Sequence, residues 1–96
     1  MYVKIHRMPS DVMLAACDKE LLGQSFAGEG TRITVAEAFY GGEIVDAPTL
    51  AERMKSVSIL NLVGERVIAV AIAEGMVSEE NVIVIGGIKH AQAVVL

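Results

Sequence analysis

The sequence predicts an α+β fold: a single compact domain over residues 1–96, with about five mostly antiparallel strands and two main helices packed on one face. Three observations lead there. Apolar and polar residues alternate with period two around Val3 and Ile5, and the other end, Val82 to Leu96, reads as an apolar hairpin across Gly86-Gly87. The middle instead carries apolar residues at helical spacing, between Thr49 and Gly75. A chain of 96 residues with 53% hydrophobic and 21% charged residues supports one core and no second domain.

In chain order, Val3 and Ile5 alternate with Tyr2, Lys4 and His6 as a first strand with one buried face. Met8-Pro9-Ser10-Asp11 turns the chain, and the continuous apolar run Val12 to Cys17 predicts a strand buried on both faces, paired to the first as a hairpin. Asp18 caps a short helical segment that stops at Gly23. Gly28-Glu29-Gly30 is a turn into a third strand, Thr31 to Val35, and Phe39-Tyr40-Gly41-Gly42 reads as a loop. Thr49 with Glu52 forms a capping box for a helix over 49–57, with Leu50, Met54 and Val57 on one face. Asn61 caps the next helix, whose apolar face carries Val63, Val67, Val70 and Ala71 before Gly75 ends it. Val82 to Ile85 and the last segment close the chain as two strands across Gly86-Gly87. The two terminal strands are expected to lie close together, as chain ends commonly do.

The longest stretch without Asp, Glu, Lys or Arg is the nine residues Ser56 to Gly64, so no membrane-spanning helix is expected. Leu14-Ala15-Ala16-Cys17 after Lys4 and Arg7 has the outline of a lipoprotein signal, but the apolar run before the cysteine is too short for a secretory core. One cysteine makes no internal disulfide, which fits a cytoplasmic protein. The net charge of −4 opposes wrapping by nucleic acid. The charge is nevertheless divided. Residues 1–7 and 88–96 hold Lys4, Arg7, Lys89 and both histidines without an acid, whereas all twelve acids lie between them with five basic residues.

On the last strand His90, Gln92, Val94 and Leu96 share one face, and on the first Tyr2, Lys4 and His6 share another. If the terminal strands meet, Lys4, His6, Arg7, Lys89, His90 and Gln92 form a basic, histidine-bearing patch suited to anions or proton transfer. The structural alternative is that these are ordinary strand residues facing water or bonded to backbone. Candidate catalytic residues are His90 with Cys17, Asp18 or His6, the thiol serving as nucleophile if it lies near an imidazole. Against this, Cys17 reads as a small buried hydrophobe. His6, His90 and Cys17 lack metal-ligand spacing, so no metal and no cofactor is expected. A candidate anion site lies at Asn61, Gly64 and Arg66, where free amides open a helix, with a plain cap as the alternative.

The succession LAACDKELLG at 14–23, FYGGEIVD at 39–46, NLVGERV at 61–67 and SEENVIVIGGIKHAQ at 78–92, with the length, resembles a small archaeal family of domains of unknown function, DUF424. The resemblance implies an archaeal cytoplasmic protein with a compact α+β domain, associated with the translation machinery, and it supplies no catalytic residues. Taken together, the sequence points to a non-catalytic binding module, for RNA or a ribonucleoprotein partner held weakly through the terminal patch. A small hydrolase or transferase and a homo-oligomeric structural protein are the alternatives.

Overall fold

The computed structural model describes residues 1–95; Leu96, expected on the face of Val94, lies outside them. The chain runs β1 (Tyr2–Arg7), β2 (Val12–Cys17), β3 (Ser25–Gly28), β4 (Thr31–Thr34), α1 (Glu37–Tyr40), β5 (Glu43–Ile44), α2 (Ala47–Met54), β6 (Ile59–Val63), α3 (Glu65–Ala73), β7 (Ile83–Ile85) and β8 (Ile88–Val94). Single 3-10 turns lie at Lys19–Leu21 and Glu79–Asn81. Six strands form one sheet in the order β5-β1-β2-β6-β8-β7, and β3 and β4 form a separate ribbon. Neighbours in the large sheet are antiparallel except for β2 and β6, so the expected α+β class is what the chain adopts.

The uninterrupted apolar run of β2 has the burial it predicts, because the sheet is covered on both sides. On one side Leu14 and Ala16 of β2 and Leu60 and Leu62 of β6 pack against Leu50 and Met54 of α2 and Val67, Ile68 and Ala71 of α3. On the other, Ala15 and Cys17 of β2 and Val63 of β6 lie beneath Leu21, Val35 and Tyr40, with Phe26 and Ile33 of the ribbon at the margin. The ribbon reaches the β7–β8 turn at Gly86, whose φ is +57° and where a Cβ would stand 2.8 Å from the Ala27 carbonyl oxygen. Only glycine accommodates both the backbone angle and the approach.

Four local expectations are corrected. Asn61 lies inside strand β6 and caps no helix; α3 begins four residues later, at Glu65. Pairing to β2 on one side and β8 on the other fixes Ile59–Val63 as strand, over a sequence that equally suits the first turn of a helix. Asp46, not Thr49, caps α2: its Oδ1 accepts the Thr49 amide at 3.0 Å, and Pro48 sits in the first turn. Phe39-Tyr40 closes the short helix α1 rather than a loop, and Ser25–Gly28 adds a strand as partner to β4.

The fourth correction concerns the ends of the chain. The terminal strands β1 and β8 are not neighbours, since β2 and β6 lie between them. At the usual strand spacing they are about 14 Å apart.

Leu60 is fully buried between the sheet and its helices. Leu60→Ala is expected to lower the unfolding free energy in urea by about 2–5 kcal/mol, with the folded circular-dichroism spectrum unchanged.

Candidate functional site

Asp18 ends β2 and turns its carboxylate toward the start of α3. The two oxygens accept the amides of Arg66 at 3.0 Å and Val67 at 2.9 Å, and the side chain is 3% exposed. The first amides of a helix have no partner within it, and a carboxylate there satisfies them while meeting the positive end of the helix dipole. Gly64 makes the approach possible: its φ is +113°, and a Cβ would stand 2.4 Å from Asp18 Cγ. The amides expected to be free for an anion at Gly64 and Arg66 are therefore already engaged, that of Arg66 by Asp18 and that of Gly64 by the Lys89 carbonyl. Asn61 does not join them. It projects from the other side of the sheet, where its Oδ1 accepts the Tyr40 hydroxyl at 2.6 Å.

Cys17 is fully buried among Ala15, Val35, Tyr40 and Val63. Burial first, and the neighbouring Asp18 carboxylate second, push its thiol from 9.0 up to about 11, which leaves negligible thiolate at neutral pH. Tyr40 is pushed from 10.0 up to about 12 by burial, with a smaller contribution from Cys17. Cys17 and His90 occupy one row of the sheet, but Val63 stands between them, so thiol and imidazole are separated by two strand spacings, about 10 Å. They form no nucleophile and base pair.

His90 is 8% exposed, and its Nδ1 lies 2.9 Å from the Leu62 carbonyl oxygen. A carbonyl only accepts, so Nδ1 carries the proton and donates it, leaving Nε2 as the acceptor in the neutral ring. The ring lines an open recess of about 320 Å³ with Asn81, Ile83, Ala91 and Gln92.

At the other end of the sheet, β1 uses its polar side chains to hold α1. Lys4 Nζ donates to the Ala38 carbonyl at 2.8 Å, and His6 Nε2 donates to the Phe39 carbonyl at 2.8 Å. The His6 ring also stacks on Phe39, with centroids 4.7 Å apart and planes at 21°. A helix of four residues leaves its last carbonyls without internal partners, and an ammonium and an imidazole N–H supply them.

The six patch residues are thus dispersed. Lys4 and Gln92 lie in one row of the sheet, Lys4–Ala15–Asn61–Gln92, and His6 and His90 are on the same side, but two strands intervene. Arg7 and Lys89 project from the helix side, where Lys89 Nζ lies 3.9 Å from Glu65 Oε1. Sequence reasoning missed what remains exposed along β7 and β8: Ile83 at 52%, Val84 at 63% and Val94 at 70%. Alternation put His90, Gln92 and Val94 on one face, shared by Ile83 while Val84 faces the other way with Lys89, but how far the layer over that face reaches was not in the sequence. Among the described residues, no three His, Cys, Asp or Glu side chains are grouped to hold a metal ion, and no helix is long and apolar enough to cross a membrane.

Residues 6–96 match the family described as "Protein of unknown function (DUF424)". The chain belongs to that family. Its fold is similar to a solved structure described as an uncharacterized conserved protein from Methanopyrus kandleri, with a TM-score of 0.84 and 26% identity, covering 99% of this chain and 90% of that one. No curated protein matches the sequence. This chain and that solved structure share a fold, and neither the family's description nor the structure's assigns an activity.

Asp18→Ala is expected to cost about 2–4 kcal/mol in urea unfolding, because two amides at the start of α3 lose their partner. Gly64→Ala is expected to cost at least about 2 kcal/mol through the strained backbone angle and the clash with Asp18. The raised thiol of Cys17 contributes stability that is complete below pH 9.0 and is lost as pH rises through about 11, since the unfolded chain releases that proton first. Unfolding curves from pH 8 upward should show this decline, and Cys17→Ala should flatten its lower part, leaving the decline due to Tyr40 above pH 10.0.

Proposed function

We propose that this protein is a non-catalytic binding module that meets a protein partner on the exposed strip of sheet carrying Ile83, Gln92 and Val94. One observation carries the reading. The candidate catalytic side chains are not assembled: Cys17 is buried, Asp18 holds two amides, His6 holds a backbone carbonyl, and His90, with Nδ1 on the Leu62 carbonyl, meets neither the thiol, a carboxylate nor the other imidazole in its recess. By contrast, Ile83 and Val94 flank Gln92 on one side of β7 and β8 and stay largely exposed. A lone exposed apolar residue needs no explanation; two on one sheet face with an exposed amide between them have the composition of a small contact surface.

RNA and ribonucleoprotein partners are both consistent with the terminal basic residues. The geometry favours a protein surface over a phosphate backbone. Lys4 and His6 are committed to α1, Arg7 and Lys89 face the opposite way, and the net charge is −4. An enzyme built on His90 with Cys17, Asp18 or His6 gains no support from side chains that are held apart. A homo-oligomer would use the same exposed strip and is one of the outcomes below.

The test is affinity capture of tagged protein from archaeal lysate at low and high salt, comparing wild type with Val94→Asp and Lys89→Glu. Val94→Asp is expected to reduce recovery of a salt-resistant protein partner about tenfold or more, the scale of one buried valine, while Lys89→Glu leaves it unchanged. RNA that washes off with salt and is lost with Lys89→Glu would overturn the protein-partner reading, as would capture of the chain's own second copy alone.

A further inference from the structure

β8 is seven residues long and β7 only three, so β7 pairs with β8 from Ile88 to His90 and no further. The Gly86-Gly87 turn makes Ile85 and Ile88 a hydrogen-bonded pair. By alternation, His90, Gln92 and Val94 direct their backbone N–H and C=O groups to the outer side, and the odd-numbered residues direct theirs to β6. Two bonds fit this assignment: the Gly64 amide donates to the Lys89 carbonyl, and the Val95 amide donates to the Ser58 carbonyl, both at 2.8 Å. The segment before β7 does not fill the vacated edge. The Asn81 amide goes to the Ser78 carbonyl and the Val82 amide to the Glu79 carbonyl, within their own turn. Among the described residues, the backbone groups of Gln92 and Val94 on this outer side have no hydrogen-bond partner.

A separate recess lies at each end of the open edge. One end is the recess of Asn81, Ile83, His90, Ala91 and Gln92, and the other a recess of about 340 Å³ between Val94, Val95 and the residues Glu74, Gly75 and Met76 after α3. Edge strands ordinarily carry a charge, a proline or a bulge that discourages pairing, and Ala91 to Val95 carries no charge and no proline. Three acids, Glu74, Glu79 and Glu80, lie around it against two lysines: Lys55, at 3.3 Å from Glu74, and Lys89, which shares a neighbouring recess with Glu79. Neither end recess is lined by a lysine or arginine, and His90 lines the first. Two copies joined by this edge would bring like-charged carboxylates together, whereas an extended segment bearing lysine or arginine meets opposite charge.

Resting on the binding-module reading, we propose that the outer edge of β8 from Ala91 to Val95 is a strand-addition site for an extended segment of a protein partner in which apolar residues alternate with basic ones. The added strand takes the place in the sheet that β7 leaves empty. It exchanges backbone hydrogen bonds with Gln92 and Val94 and sets apolar side chains beside Ile83 and Val94.

The first test titrates the capped peptide Val-Lys-Val-Lys-Val, and its Val-Glu-Val-Glu-Val counterpart, to millimolar concentration into isotope-labelled protein. With the lysine peptide, the Gln92 and Val94 amides should shift and their hydrogen exchange should slow at least tenfold; the glutamate peptide should do neither. Unchanged Gln92 and Val94 amides, equal effects of both peptides, or a concentration-dependent dimer through this edge would each overturn the proposal. In the second test, Gln92→Pro removes an outward N–H that folding does not use, and Gln92→Ala retains it. Loss of the captured partner with Gln92→Pro but not Gln92→Ala supports strand addition. A partner lost with Val94→Asp yet retained with Gln92→Pro leaves the binding module standing and overturns the strand-addition site alone.

Discussion

The carboxylate of Asp18 ties the end of β2 to the start of α3, and the arrangement of the sheet follows from that connection. β2 and β6 are parallel neighbours, so α3, which follows β6 through Gly64 alone, begins at the end of the sheet where β2 also stops. A carboxylate there reaches the amides of Arg66 and Val67 without leaving its strand. The contact places Val67, Ile68 and Ala71 over the central strands, where the largest fully buried side chains, Leu14, Leu60 and Leu62, are found. It also removes Asp18 from any role in chemistry. A buried carboxyl group whose two oxygens accept backbone amides has no face turned to a substrate.

The opposite side of the sheet is held differently. A four-residue helix has little cohesion of its own, and it is fastened to the sheet by side chains several of which looked functional in the sequence. Lys4 and His6 bind the last carbonyls of α1, Tyr40 reaches Asn61, and Phe39 stacks on His6. The polar face of β1 is thereby consumed in architecture. What this cover does not reach is the far end of β8, and the same topology that disperses the basic residues leaves a strand edge open beside acidic residues. Binding by main-chain pairing requires no catalytic constellation, in keeping with a molecule whose thiol and imidazoles are held apart.

The sequence by itself determined the local states whose signals are unopposed. Period-two alternation placed β1, the unbroken run Val12–Cys17 announced a strand covered on both faces, and the apolar segments on either side of Gly86-Gly87 specified the terminal hairpin. Burial of Cys17 was also legible, because a small thiol ending an apolar strand belongs to the core. Tertiary structure decided everything that depends on a partner distant in the chain. Ile59–Val63 is a strand because β2 and β8 supply its hydrogen bonds, and Asn61 consequently faces Tyr40 instead of a helix start. The cap of α3 comes from Asp18, a residue 48 positions before Arg66, which no local window contains. The strand order separates His6 from His90, since hydrophobic periodicity fixes which face a side chain occupies but not which strands become neighbours.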